Sequence, residues 1–152
     1  MPRHAVRVLM VDDEGDVLLV RFREGDRIWW CTPGGGIEGD ENDEDAARRE
    51  IREETGLSDF ELGPVIWTRR HAVTVRGQAF DQRENIYLAR VGRFVPQPGS
   101  PHAPEHTADD MRWWTVEELG SSTEMFAPRR LPLLVRELLR DGAPAVAWDV
   151  GV

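Results

Sequence analysis

The sequence predicts an α+β fold in which helices cover both sides of a mixed β-sheet. Strand-like segments rich in Val, Leu and Ile dominate the first two thirds of the chain. A helix with recognisable signals at both ends follows the third of these segments. A second, amphipathic helix is predicted over Leu131–Leu139, where apolar residues recur on one face.

The strand signals begin close to the start of the chain. Val and Leu predominate over Ala5–Val11, which we assign to a first strand. A turn at residues 12–16 leads to a second strand over Val17–Phe22, so the two are expected to form a hairpin. The apolar segment Ile28–Cys31 follows, and the glycines after Pro33 end this block.

The best-defined helix starts at Asn42, whose side chain is suited to accept hydrogen bonds from the first free N–H groups. Acidic residues at positions 43–45 lie at the positive end of the helix dipole. The helix is predicted to run to Thr55, and Gly56 is the expected left-handed residue that ends it.

Further strands are predicted over Val65–Trp67, Ala72–Arg76 and Ile86–Val91, with a turn near Gly77 between the last two. Residues 95–110 contain four prolines and are predicted to form a long loop.

A short strand over Arg112–Trp114 and a short helix from Thr115 to Leu119 follow the loop. Residues 143–152 are assigned to no element. Within the pairs Trp29–Trp30 and Trp113–Trp114, successive strand residues face opposite ways, so one of each pair is expected in the core.

Length and composition predict a single globular domain over residues 1–152. The chain has one cysteine, which excludes an internal disulfide, and no secretion signal is recognisable; we therefore expect a cytoplasmic location. The apolar run Ala5–Val11 is too short to cross a membrane and is interrupted by Arg7. A net charge of −9 argues against nucleic-acid partners and anionic membrane surfaces.

The predicted helix from Asn42 carries three carboxylates at helical spacing. Glu50, Glu53 and Glu54 project toward one face, where like charges repel one another. Clustered carboxylates are hard oxygen ligands suited to Mg²⁺, Mn²⁺ or Ca²⁺. The alternative is a solvated charged face, which is the usual meaning of a charged run.

Two features next to these carboxylates favour the metal-binding interpretation. Backbone groups of Gly35 and Gly36 can approach a ligand or metal directly, because no side chain stands in the way. Arg49 lies beside Glu50, where its guanidinium can orient and partly neutralise the carboxylates.

The segment from Gly35 to Leu57 resembles the signature of the Nudix family, G-x5-E-x7-R-E-U-x-E-E-x-G-U, in which U is a bulky aliphatic residue. Every fixed position matches. The matching residues are Gly35, Glu41, Arg49, Glu50, Ile51, Glu53, Glu54, Gly56 and Leu57. The resemblance extends over about residues 3–140 and implies a Nudix-like α/β/α sandwich with a mixed sheet between helices.

Nudix enzymes use divalent cations, usually Mg²⁺, to hydrolyse a nucleoside diphosphate linked to another group, X. The resemblance therefore implies a Mg²⁺- or Mn²⁺-dependent hydrolase that cleaves the pyrophosphate linkage of a small nucleoside diphosphate derivative. By similarity, Glu50, Glu53 and Glu54 would hold the metal, with the carbonyl of Gly35 or Gly36 as a further ligand. The general base would be one of these carboxylates or one elsewhere, since the family varies in which residue serves; Glu50 is a candidate for this role as well as a metal ligand. Arg49 completes the implied catalytic set.

Some family members recruit an acidic residue outside the signature. In this chain Glu84, just before the predicted strand at 86–91, and Glu105, in the long loop, are the two possibilities. His102 and His106 in the same loop are possible proton shuttles or metal ligands. The alternative for each is an ordinary surface residue.

Basic side chains would bind the substrate's phosphates. Arg21 and Arg23 alternate on the second strand and therefore share a face. Arg83 is a further possibility, as are Arg69 and Arg70; the alternative is that such arginines keep the strand edges soluble.

Other substrates and roles stay open. The substrate could be a nucleoside triphosphate (including an oxidised one), a nucleotide sugar, ADP-ribose or a dinucleoside polyphosphate. Alternatively, the domain could bind a nucleotide without catalysis. Enzymes of the family that act on ADP-ribose carry a proline beyond the signature, where this chain has His71, Ala72 and Val73, so that subclass is disfavoured. A homodimer is compatible with the sequence.

Much of the negative charge lies in the signature segment. Nine acidic residues and three arginines between Glu38 and Glu54 give −6 of the total −9. A bound divalent cation reverses the local sign, so the acidity is compatible with a nucleotide ligand and predicts that its binding depends on metal.

Overall fold

A computed structural model describes residues 2–97 and 110–152. The elements in chain order are β1 (Pro2–Val11), β2 (Val17–Glu24), β3 (Arg27–Cys31), β4 (Gly34–Gly36), α1 (Asp43–Thr55), β5 (Val65–Val75), β6 (Gln78–Arg90), β7 (Met111–Trp114), α2 (Val116–Ser121), β8 (Met125–Ala127), α3 (Leu131–Asp141) and β9 (Trp148–Asp149). In this part of the chain, no helix combines the length and the apolar character needed to cross a membrane.

The strands form one mixed sheet in the order β8-β3-β2-β1-β6-β5-β9. The central strand β1 runs antiparallel to β2 and parallel to β6, and β5 returns antiparallel to β6. The short strands β4 and β7 pair with β1 and β2, respectively. This arrangement of a mixed sheet with three helices confirms the predicted α+β class.

The sheet has an apolar core on each face, because successive strand residues point in opposite directions. Leu9 of β1 packs with Ile86 and with Leu134 of α3, on what we call the α3 face. Val8 belongs to a second cluster with Ile51 of α1, on what we call the α1 face. Helices therefore cover both sides of the sheet, as the family resemblance implies.

The predicted ends of α1 are confirmed. The Asn42 side chain accepts a hydrogen bond of 2.8 Å from the backbone N–H of Asp45. At the other end, Gly56 adopts a left-handed conformation with φ of 83° and donates its N–H to the carbonyl of Arg52. These local signals fix where the helix begins and ends.

The expectation for the tryptophan pairs is also confirmed. Trp30 and Trp114 are buried, and their rings meet edge to face with centroids 5.1 Å apart. Trp29 and Trp113 are only partly buried, and each packs against a phenylalanine. Strand alternation thus decides which member of each pair enters the core.

Several boundaries differ from prediction, most clearly in the middle of the chain. The predicted segments Val65–Trp67 and Ala72–Arg76 merge into one continuous strand, β5, which ends at Val75, so that Arg76 lies in the turn before β6. Strand β6 begins at Gln78 rather than at Ile86. The polar residues between the two predicted segments gave no strand signal in the sequence. Their strand conformation is stabilised by backbone pairing between β5 and β6. The glycine run, expected to interrupt the strands, forms β4 against β1.

The C-terminal segment, which the sequence left unassigned, joins the sheet. Strand β9 pairs in parallel with β5, and the backbone N–H of Val150 donates to the carbonyl of Thr68 at 2.9 Å. The Val150 side chain is buried in the cluster on the α3 face. Residues 148–150 therefore extend the fold.

We predict that Asn42→Ala lowers the free energy of unfolding by about 1 kcal/mol, because it removes the side-chain acceptor at the start of α1. Asn42→Ser, which keeps an acceptor oxygen, is the matched control and should retain most of the stability. Urea denaturation followed by circular dichroism measures both. Equal losses in the two variants would contradict a capping role.

Candidate functional site

The site is built where β4 meets the C-terminal half of α1. Gly34 has a φ of 151°, and a side chain there would lie 2.6 Å from the Cα of Arg7 on the neighbouring strand. Its backbone N–H donates a 3.1 Å hydrogen bond to Oε2 of Glu54, which is buried. Glu54 therefore ties the end of α1 to β4, and only glycine fits at the point of closest approach.

Arg49 lies at the centre of the signature segment. Its Nε is 2.7 Å from Oε2 of Glu41, and its Nη1 is 3.0 Å from Oε1 of Glu50 and 3.3 Å from Oε2 of Glu53. Its Nη2 donates to the carbonyl of Gly36 at 3.0 Å. One guanidinium thus joins three carboxylates to the glycine strand.

The charges at this point shift one another's pKa values. The hydrogen bond from Arg49 lowers the pKa of Glu41, and the reciprocal bond to Glu41 raises the pKa of Arg49. Burial raises the pKa of Glu50, although Arg49 acts in the opposite direction. Burial at this position therefore favours the protonated form of the Glu50 carboxyl.

Glu50 also explains why position 35 is glycine. A Cβ added to Gly35 would lie 2.7 Å from Cδ of Glu50, so any side chain would displace the carboxylate. The Glu50 carboxylate therefore rests directly against the backbone of β4. The carboxylate oxygens of Glu50 thus lie close to the backbone of the glycine strand, and oxygen atoms are the ligands that hard cations such as Mg²⁺ take.

The donor chemistry of this site fits a divalent cation. Glu50, Glu53 and the carbonyl of Gly36 all bind one cation already, the guanidinium of Arg49. Among the described residues, no three His, Cys, Asp or Glu side chains converge as a ready metal cluster. The oxygen donors are thus of the kind that Mg²⁺ prefers, and in this structure they bind the guanidinium of Arg49 instead.

A second cluster surrounds Glu84, whose side chain is fully buried. Oε1 accepts a hydrogen bond from Nη1 of Arg69 at 2.9 Å, and Oε2 lies 3.0 Å from Nε of Arg7. His71 Nε2 is 3.0 Å from Oε2, and Gln82 Nε2 donates to the same oxygen at 2.6 Å. Four side chains from three strands therefore hold one carboxylate.

The sequence placed Glu84 just before a strand, but in the structure it lies within β6. Burial by itself raises the pKa of this carboxyl, but Arg7, His71 and Arg69 outweigh it and hold the pKa well below its ordinary value. Glu84 is therefore a permanent anion surrounded by partners. Its observed contacts are those of a structural anchor.

Arg7 connects the two clusters. Besides meeting Glu84, its Nη1 donates to the carbonyl of Thr32 at 2.9 Å, just before the glycine strand. The backbone N–H of Val8 donates to the carbonyl of Pro33 at 2.9 Å. The position of β4 therefore depends on a charged residue that the sequence shows only as an interruption of an apolar strand.

Sequence reasoning missed three residues of the Glu84 cluster, Arg7, His71 and Gln82, and it missed Arg3, which binds Gln82 at the edge of that cluster. Strand alternation could have grouped some of these residues, because every second residue of a strand points to the same face. Arg3 and Arg7 share one face of β1, and Gln82 and Glu84 share one face of β6. This signal was hidden because the predicted strands began at Ala5 and Ile86, which left Arg3, Gln82 and Glu84 outside them.

The predicted phosphate-binding arginines have other observed surroundings. Arg21 forms a 3.0 Å ion pair with Asp110 and lies over the ring of Trp30, on the α3 face. Arg23 and Arg83 are exposed, and Arg83 projects to the opposite face of β6 from its neighbour Glu84. Their roles in substrate binding stay predictions.

Three loop residues singled out in the sequence, His102, Glu105 and His106, lie outside the described residues. Of the remaining basic candidates, Arg69 binds Glu84 and Arg70 forms an exposed ion pair with Asp81.

Comparison with known proteins agrees with the geometry. A sequence model of the NUDIX domain matches residues 1–136. Curated nucleoside triphosphatases named NudI, for example that of Salmonella arizonae, are 35% identical over 86 residues. That match covers 52% of this chain and 58% of the relative, so the chain spans little more than half the length of these relatives.

Solved structures share the fold. A MutT NUDIX hydrolase from Burkholderia pseudomallei is similar with a TM-score of 0.61 and 23% identity, covering 88% of this chain and 97% of that protein. A hydrolase of the NUDIX family from Clostridium perfringens gives a TM-score of 0.64 at 19% identity, covering 92% and 97%. At these identities the likeness shows the fold alone.

We predict that Glu84→Gln destabilises the protein by about 3–5 kcal/mol, because it leaves the buried Arg7 and Arg69 without their counter-charge. Asp81→Asn on the same strand is the matched control, since its ion pair with Arg70 is exposed and should contribute nothing measurable. Chemical denaturation measures both variants. Similar effects of the two substitutions would contradict the anchoring role of Glu84.

The same cluster predicts a pH dependence. The pKa of Glu84 is lower in the folded protein than in the unfolded chain, so its stabilisation is complete above about pH 4.3 and is lost as the pH falls further. The difference in unfolding free energy between wild type and Glu84→Gln should therefore narrow below that pH. A difference that stays constant between pH 7 and pH 3 would argue against this.

Proposed function

Because this chain belongs to the NUDIX family, we propose that it is a hydrolase that uses Mg²⁺ or Mn²⁺ to cleave the pyrophosphate linkage of a small nucleotide-type substrate. The observation that carries the proposal is the convergence of Glu50, Glu53 and the Gly36 carbonyl on Arg49. These are oxygen donors in a partly buried position next to a glycine strand. Such a site is suited to holding cations against a phosphate chain.

In this proposal Glu50, Glu53 and Glu54 hold the metal, together with a backbone carbonyl of Gly35 or Gly36. A divalent cation bound there would neutralise charge on the pyrophosphate oxygens and make water a stronger acid. Glu84 and Glu105 are the proposed further ligands outside the signature. The observed contacts favour Glu84 less, because both of its oxygens are already bound.

The chain's own residues would have distinct tasks. Glu50, desolvated and resting against Gly35, would accept the proton of the attacking water. Arg49 would orient the Glu50 and Glu53 carboxylates through its ion pairs with both. Glu54 would hold β4 at a fixed distance from α1 through its bond with Gly34.

A nucleoside triphosphate is the substrate class that the relatives favour. The NudI proteins, named nucleoside triphosphatases, share 35% identity over 86 residues. The signature residues Glu50, Glu53 and Glu54 are all retained, which supports catalysis over nucleotide binding alone. Arg21, Arg23 and Arg83 stay proposed phosphate contacts.

We also propose that residues 1–152 act as one domain. The last strand, β9, pairs with β5 in the same sheet as β1, and Val150 packs in the same core cluster as Leu9. No part of the described chain forms a separate core.

We predict that the purified protein releases phosphate or pyrophosphate from members of a panel of nucleoside triphosphates and nucleoside diphosphate derivatives, and that turnover requires Mg²⁺ or Mn²⁺. Chelation by EDTA should abolish it, and added metal should restore it, because the acidic site alone repels a phosphate chain. No turnover on a broad panel with either metal would refute the proposed activity.

Among single substitutions, Glu53→Gln should lower kcat by about 100-fold while the fold stays intact, because Glu53 is partly exposed and its ion pair with Arg49 lies within the site. Glu44→Gln is the matched control, since Glu44 lies exposed on the same helix and pairs with Arg48. Steady-state kinetics with saturating Mg²⁺ measure both. Full activity of Glu53→Gln would remove this residue from the site.

A further inference from the structure

Arg3 lies at the edge of the two clusters and takes part in neither ion-pair network. It is half-buried on β1, on the same face as Arg7, and its Nη1 donates a hydrogen bond to Oε1 of Gln82. The Gln82 amide in turn donates to Glu84. Because both ends of the amide are bound, Gln82 fixes the direction in which the Arg3 guanidinium points.

The guanidinium of Arg3 also occupies the space beside the glycine strand. A Cβ added to Gly36 would lie 2.9 Å from Cζ of Arg3. Gly36 also contacts α1, because its carbonyl accepts a hydrogen bond from Arg49. Arg3 therefore stands next to the residue whose carbonyl belongs to the proposed metal site.

Arg3 adds a cation to the edge of the Glu84 cluster, in which positive charge is already in excess. Arg7 and Arg69 share the single carboxylate of Glu84. Within residues 2–97 and 110–152, Arg3 forms no ion pair at 4.0 Å or less, although Glu50 and Glu84 attract it at longer range. Burial and the neighbouring Arg7 accordingly lower the pKa of Arg3.

A half-buried guanidinium held near that of Arg7 has a cost in free energy unless an anion neutralises it. Arg3 donates one hydrogen bond to Gln82, and a guanidinium has five N–H groups, arranged to bind two oxygens at once. The anions expected at this site are the phosphates of the substrate. Arg3 has the charge, the partial exposure and the location needed to bind one.

We propose that Arg3 binds a phosphate group of the substrate at the edge of the α1 carboxylates, and that position 36 lacks a side chain to make room for it. This rests on the proposed function for the identity of the anion. Gln82 is the positioning residue in this arrangement, since it orients Arg3 through one hydrogen bond. The proposal adds a cationic contact that the signature itself does not contain.

The test measures binding of inorganic pyrophosphate by isothermal titration calorimetry in the presence of Mg²⁺. Arg3→Ala should raise the dissociation constant roughly tenfold or more, because a charge-assisted contact is lost. Arg3→Lys, which keeps the charge without the planar fork, should recover part of the affinity. Gly36→Ala should weaken binding as well, because its methyl group displaces Arg3 while the charge is retained.

Arg90→Ala is the matched control. Arg90 is exposed at the opposite end of the same β1–β6 pair, opposite Val11, and its removal should change pyrophosphate binding less than about twofold. Unfolding curves for all variants separate lost binding from lost structure. If Arg3→Ala does not fold, Arg3→Lys and Gly36→Ala carry the test.

With the best substrate from the panel, Arg3→Ala should raise KM more than it lowers kcat, because Arg3 would bind a phosphate group of the substrate and is neither the proposed base nor a proposed metal ligand. If the protein shows no turnover but binds pyrophosphate in a way that depends on Arg3, the proposed activity is refuted and this inference stands. Unchanged affinity in Arg3→Ala, or no pyrophosphate binding by the wild type, would overturn it.

Discussion

One buried carboxylate constrains the sheet on which the site is built. The side chain of Glu84 is excluded from solvent and bound by residues of β1, β5 and β6. An ionised group in that position is tolerated only while its partners stay in place. A slip of one residue in any of these strands would turn a partner to the α1 face, so the cluster fixes strand register as well as charge balance.

This constraint reaches the site through Arg7. The same guanidinium that meets Glu84 holds the Thr32 carbonyl, and β4 follows directly. The hydrogen bond between Gly34 and Glu54 in turn fixes α1 relative to β4. The acidic residues of α1 and the arginines of β1 therefore lie on opposite sides of one narrow glycine strand, which places clusters of opposite charge where a metal and a phosphate would meet.

The local signals in the sequence were sufficient for the helices and for the signature. Asn42 and Gly56 fix the ends of α1 through hydrogen bonds with residues three or four positions away. The spacing of Glu50, Glu53 and Arg49 depends only on helical geometry, so it could be read without a structure. The α+β class followed from the same kind of evidence, since periods of two and 3.6 reflect backbone geometry.

The sequence by itself determined the family, the fold class and the acidic residues of α1, because each is encoded by neighbours along the chain. Only the tertiary structure decided that Arg7 and Glu84 are partners, that Arg3 lies beside Gly36 and that β9 completes the sheet. These contacts join segments far apart in sequence, and a polar residue within a strand gives no sign of which distant residue will neutralise it. Strand pairing and burial select the partner, and neither is a property of a local stretch of chain.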